Sequence, residues 1–143
     1  MTRIAGDRER GQALVEFSLS IVIFLVLMMA IVDLGRGIYM FNGVSQAARE
    51  IARVASVHPG TTFGGPEITA VVNVQKKLIP NLGNPTFSCV AIDGSPGLDP
   101  TYGDCRTGQQ VTVTIAAAYS PATPVMGLLG TWNMQSTSSV RMP

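Results

Sequence analysis

The run from Phe17 to Val32 limits this chain more than any other stretch, because it contains no charged residue and only Ser18 and Ser20 are polar. About eleven Leu, Ile, Val and Phe residues fall in it, each contributing roughly −0.3 to −0.6 kcal/mol to membrane insertion, or roughly −3 to −7 kcal/mol together. Glu16 stands at one edge, where an acid costs less than the roughly +3 kcal/mol expected at mid-bilayer. Insertion therefore wins. The run falls a little short of the roughly 20 residues that span a bilayer. Adding Ala13 to Val15 supplies the length and puts Glu16 inside the apolar zone. Two readings of Glu16 follow: a helix edge lying among headgroups, or an ionisable group at membrane depth that requires a partner.

The helical pattern continues past Val32. Leu34, Ile38, Phe41, Val44, Ala48, Ile51 and Ala55 recur at three- and four-residue steps, the signature of an amphipathic helix. Gln46, Arg49, Glu50 and Arg53 fall on the other side, with Glu50 and Arg53 spaced to pair. No proline interrupts until Pro59, and Pro59-Gly60 ends the helix. Gln12 to Val57 as one helix is roughly 65–70 Å long. Its first half lies in lipid and its second half against its own domain. Arg49 and Arg53 read either as a solvated face or as contacts to a neighbouring subunit or helper protein.

Specific residues in this element carry a resemblance. Gly11 is followed by Gln12-Ala13-Leu14-Val15-Glu16-Phe17, then by the apolar run, Asp33-Leu34-Gly35-Arg36 and Ala47-Ala48-Arg49-Glu50-Ile51-Ala52-Arg53. The stretch resembles the TadE-like family, a branch of the type IV pilin-like proteins of tight-adherence pili, over about a third of the chain. In that family a membrane prepilin peptidase cuts after the glycine. The resemblance thus implies a leader of residues 1–11, a cut between Gly11 and Gln12, and Glu16 as an assembly contact. It further implies as partners the prepilin peptidase, other pilin subunits and a pilus assembly platform. The family often carries a proline in the first half of the apolar run. Here that region reads Leu19-Ser20-Ile21-Val22-Ile23, which implies an unkinked helix.

Met1 to Gly11 is short and polar, with Arg3, Arg8 and Arg10 against Asp7 and Glu9. A secretory signal has a charged start too, but its apolar core leads into a small-residue cut site. Asp33-Leu34-Gly35-Arg36 offers none. The close-packed arginines of the leader favour an N-terminus in the cytoplasm, although Arg36, Arg49 and Arg53 on the other side weaken the asymmetry. The expected location is the bacterial cytoplasmic membrane, single-pass, with the C-terminal domain outside the cytoplasm. Net charge is +1 and charged residues make up 13% of 143 residues, so no electrostatic footprint for nucleic acid exists.

The remainder, residues 58–143, reads as a small α+β domain. Pro66 to Ile79 forms a second helix with Ile68, Val71, Val72, Leu78 and Ile79 on its apolar face, and Pro80-Asn81 stops it. Thr86 to Ile92, a strand through Val111, Val113 and Ile115 towards Tyr119, and Thr131 to Met142 give three strands. Trp132, Met134 and Val140 are the apolar points of the last. Pro121 to Gly130 is expected as a loop. An antiparallel sheet of these strands packed on the long helix forms a minimal core.

Two cysteines in an exported domain permit a disulfide. A Cys89–Cys105 bond would close the intervening loop and constrain the unfolded chain by roughly 3 kcal/mol. A metal pair or a reactive thiol are the other readings; no Cys-x-x-Cys exists, and His58 is distant, which disfavours zinc. Asp93, Asp99 and Asp104 match no calcium-loop spacing and read as turn residues. His58 has no nucleophile in a catalytic setting, and no phosphate loop follows a strand. No cofactor, metal or enzymatic activity is expected. Two functions remain: a minor pilin or pseudopilin-like assembly subunit, or a single-pass anchored binding module that never polymerises.

Overall fold

The computed structural model describes residues 4–58, 63–91, 105–128 and 130–143, with side chains from Gly11 onward except that of Val125. The long helix α1 spans Ile4–Val57, and α2 follows at Pro66–Leu78. The strands are β1 (Thr86–Val90), β2 (Gln110–Tyr119) and β3 (Trp132–Arg141), with a single helical turn, α3 (Pro124–Gly127), between the last two. They form one antiparallel sheet in the order β1-β2-β3. The architecture is the expected α+β: a long N-terminal helix, a short second helix and three antiparallel strands.

Besides shifts of one or two residues at the ends of α2, β1 and β3, two features differ from the sequence reading. The expected helix starts at Gln12, whereas α1 starts at Ile4 and its 54 residues make a rod of roughly 80 Å. No proline separates residues 4–11 from the apolar run, so the helix from Gln12 onward propagates backwards through them. In the expected loop of residues 121–130, Pro124 starts α3, its ring pre-setting the helical φ at the first position.

The core lies where the second half of α1 meets the sheet. Val44, Ala47, Ala48, Ile51, Ala52 and Ala55 of α1 pack against Val111, Val113, Ile115 and Ala117 of β2. Ile68 and Val72 of α2 close one side. The alternation read in β2 is present residue by residue, its odd-numbered positions all buried. On the opposite face, Thr112 meets Ser139 and Thr114 meets Thr137 through hydroxyl contacts of 3.0 Å each. These cross-strand pairs help fix the β2–β3 register where few large side chains do so.

The apolar stripe of α1 follows the periodic one at Val44, Ala48, Ile51 and Ala55 and departs from it nearer the membrane. Leu34, Ile38 and Phe41 remain 60%, 55% and 48% exposed. At their level the helix instead turns Asp33 and Gly37 toward the sheet. Small side chains shape the face: Gly37, Ala47, Ala48, Ala52 and Ala55 let the sheet approach closely around the buried Val44 and Ile51, while Leu34, Ile38 and Phe41 point away. Met134 Cε lies 3.5 Å from where a Cβ on Gly37 would stand. A tighter approach occurs at Gly83, whose N–H donates to Ala116 O at 2.8 Å and whose added Cβ would meet that oxygen at 3.1 Å.

Cys89 and Cys105 are both buried and joined by a disulfide. The bond ties the end of β1 to the segment entering β2. Residues 92–104 lie outside the described residues, and with them Asp93, Asp99 and Asp104; so do residues 59–62, where Pro59-Gly60 was expected to end the helix.

The choice of face is testable. Ala48→Leu places a large side chain against a closely packed sheet and should destabilise the domain by about 1–3 kcal/mol. Leu34→Ser, on the exposed side, should change stability by no more than about 0.5 kcal/mol. Thermal melts of the detergent-solubilised protein measure both, and equal losses would return Leu34 to the core.

Candidate functional site

Two groups of residues on α1 bear on function, one at each end of the apolar run. The first is the Gly11–Glu16 segment. Gly11 lies within helical backbone, with nothing within 4 Å of an added Cβ. The Gln12 Nε2 donates to Glu16 Oε1 at 3.1 Å, one helical turn apart. This amide is the sole hydrogen-bond partner of the Glu16 carboxylate among the described residues, and no described cation stands near it. The structure thus brings Gly11, Gln12 and Glu16 together along one turn, with Glu16 exposed.

Between the two groups the helix has no protein around it. An 18-residue window of Gly11–Val57 has a mean hydropathy of 2.7 and is 0% buried, making this the one helix among the described residues long and apolar enough to cross a membrane. Phe17, Leu19 and Ile31 are each more than 60% exposed. The Ser18 hydroxyl donates to Leu14 O at 2.7 Å, satisfying itself within the helix as a hydroxyl in lipid must. These features fit a single-pass membrane protein.

The second group centres on Asp33, the first residue after the apolar run. Its side chain is 2% exposed. Ala122 N–H donates to Oδ1 at 3.0 Å, Thr123 N–H to Oδ2 at 3.2 Å, and the Thr123 hydroxyl also donates to Oδ2. Arg36 Nη1 stands 3.9 Å from Oδ1. The Asp33 backbone joins in, its carbonyl accepting from Tyr119 Oη at 2.8 Å. Successive N–H groups at the turn between β2 and α3 form a small nest around the carboxylate. The Thr123 hydroxyl, against the opposing effect of burial and aided by the two N–H groups and Arg36, holds the Asp33 carboxyl below its ordinary pKa. The charge is therefore kept at the point where α1 leaves the apolar zone. It ties the base of the sheet to the helix across 90 residues of sequence.

Sequence reasoning quoted Asp33 only as part of a motif and missed the contact. A signal was present, since an acid directly after an apolar run must find hydrogen bonds or leave the lipid. Its partners, a threonine and two backbone amides in a distant turn, had no mark of their own.

Farther up α1, the structure separates the two arginines of interest. Arg53 forms a bidentate pair with Glu50, at 3.1 Å from Nε and 2.6 Å from Nη2. Those hydrogen bonds hold the Glu50 carboxyl below its ordinary pKa. The pair is half-exposed and worth about 0.3–0.5 kcal/mol as a helix-surface ion pair. Arg49 is exposed and has no such partner among the described residues. His58 Nδ1 contacts Val54 O at 3.0 Å, at the helix end. No group of three or more His, Cys, Asp or Glu suited to a metal occurs among the described residues.

Residues 11–53 match the family model described as TadE-like protein. The match covers the Gly11–Glu16 turn, the apolar run, Asp33 and both arginines, and it stops before α2 and the sheet. It is the family that the motifs resemble, and it points to a pilin-like protein associated with tight-adherence pili. No curated protein and no solved structure matches the chain.

Asp33→Ala should release the turn at 121–123. Hydrogen bonds to a charged group contribute about 1.5–3 kcal/mol, so amide exchange at Ala122 and Thr123 should accelerate by about 10–100-fold. Exchange measured by mass spectrometry or NMR in detergent reads this directly; unchanged protection would mean that the turn is held by something else.

Proposed function

We propose that this chain is a minor pilin or pseudopilin-like subunit, acting by assembly rather than by catalysis. The observation that carries the reading is Glu16: a carboxylate at the edge of an uncovered apolar helix, one turn from the Gly11–Gln12 bond, with only a neutral amide as partner. In lipid such an acid requires an opposite charge from elsewhere. A monomer of this fold has none nearby among the described residues.

Processing would supply one. The chain inserts with residues 1–11 in the cytoplasm. A prepilin peptidase hydrolyses the Gly11–Gln12 peptide bond, leaving a carboxylate on Gly11 and a free amine on Gln12. Because α1 is continuous through this bond, the helix must open locally for cleavage. Gly11 lowers that cost, being about 1 kcal/mol poorer than alanine in a helix interior. The new amine of one subunit then pairs with Glu16 of the next, exchanging the Gln12 amide for a full charge. In a low-dielectric setting such a pair offsets the burial of both groups and fixes the register of neighbouring helices. The assembly platform would lift the subunit out of the bilayer, with the α+β domain riding outside the cytoplasm. Arg49, exposed and without an intramolecular partner among the described residues, is the better candidate of the two arginines for a subunit contact.

Glu16→Ala should leave membrane insertion intact and cut pilus number sharply, counted by electron microscopy on cells expressing equal amounts of protein. Normal pilus number in that variant would remove the assembly mechanism and favour a tethered module that is never polymerised.

A further inference from the structure

The membrane-proximal end of the domain carries an apolar surface that neither the core nor the assembly contacts use. Leu34, Ile38 and Phe41 on α1 face Met126 of α3 and Trp132 of β3 across a cavity of about 280 Å³ with an almost wholly apolar lining. Leu128, just after α3, is 88% exposed, and Tyr39 is 80% exposed. From Thr107 to Val140 the sequence contains no Asp, Glu, Lys, Arg or His. That charge-free stretch includes the whole turn between β2 and β3.

The height of this surface follows from the helix. If the hydrocarbon ends at Val32, Leu34 and Ile38 stand roughly 3 and 9 Å above that edge along the helix axis. Apolar faces that lie on membranes sit within about 5–10 Å of the headgroup–acyl boundary, and helix tilt lowers the patch further. Trp and Tyr are the side chains favoured at that depth. Asp33 holds the turn beside the helix here, through Ala122 and Thr123. Trp132 is supported by Tyr119, with ring centroids 6.4 Å apart. Arg36, half-exposed at the same level, has the reach to meet lipid phosphates.

From this placement we infer that the exported domain docks on the outer surface of the bilayer that α1 spans, inserting Leu128 and Trp132 into the headgroup–acyl boundary. The occupant is phospholipid, because the patch is continuous with the uncovered apolar surface of α1 and the turn that carries Leu128 adds no charge to it. Docking sets the domain's orientation on the membrane before extraction. The inference rests on the membrane-spanning reading of α1.

Trp132 is the single tryptophan of the chain, so its fluorescence reports this site alone. The full chain is reconstituted into phosphatidylcholine–phosphatidylglycerol vesicles containing lipids brominated either near the glycerol end or near the methyl end of the acyl chain. Flotation first establishes that the protein is membrane-bound; a chain that fails to float refutes the spanning reading itself. In floated protein, Trp132 emission should be quenched more by the shallow bromines than by the deep ones. The quenching should persist when protein is diluted in lipid, and Leu128→Asp should reduce it with the circular dichroism spectrum unchanged. Absent or deeper-weighted quenching in floated protein overturns the inference. Shallow quenching that disappears on dilution assigns the patch to a second copy and overturns it equally. A Leu128→Asp variant quenched like the parent removes the turn from the contact.

Discussion

The apolar first half of α1 has no protein against it, and the rest of the molecule is arranged around that fact. A surface of Leu, Ile, Val and Phe this long is not left in water, and no second element among the described residues covers it. Lipid covers it first. In the proposed filament, equivalent helices replace lipid, and small differences in packing and charge then set which neighbours fit. In that proposal Glu16 is the residue of this zone whose charge calls for a second molecule.

Asp33 has the reverse role. It keeps its charge within its own chain, surrounded by two backbone N–H groups, a hydroxyl and a nearby guanidinium. Two acids flank one apolar run, and their surroundings separate their roles. The carboxylate at the start is exposed, with a neutral partner; the one at the end is enclosed and hydrogen-bonded. An enclosed group with good donors fixes local geometry, while an exposed one at membrane depth remains available to a partner. The sheet base is thereby fixed to the helix where it leaves the bilayer. A pull on the helix would be transmitted to the domain there, as well as through the core around Ile51.

Much of the architecture was legible in the residues. Val111-Thr112-Val113-Thr114-Ile115 alternates cleanly because its sheet has one buried face and one wet face, and β2 is found there. Pro66 and Pro80 bracket α2 for reasons of backbone chemistry alone. The face of α1 was less legible. Periodicity found Val44, Ala48, Ile51 and Ala55, whereas close approach to the sheet also selected Gly37, Ala47 and Ala52 and left Leu34, Ile38 and Phe41 outside. The same bias hid the Asp33 contact. Its partners, two backbone amides and the Thr123 hydroxyl, lie about 90 residues away, and backbone amides carry no sequence signature. The candidate site at Gly11–Glu16 came from the resemblance to the TadE-like family; the structure adds the hydrogen bond from Gln12 to Glu16, one helical turn apart.

The account stands most directly on the covalent state of the mature chain, since the proposed counter-charge for Glu16 exists only after the Gly11–Gln12 bond is broken. Intact-mass and N-terminal analysis of the protein purified from its host membrane, with the prepilin peptidase present and then deleted, measures this. The account predicts a chain beginning at Gln12 when the peptidase is present and an uncut leader when it is absent. Residues 1–11 still attached in both strains would contradict it.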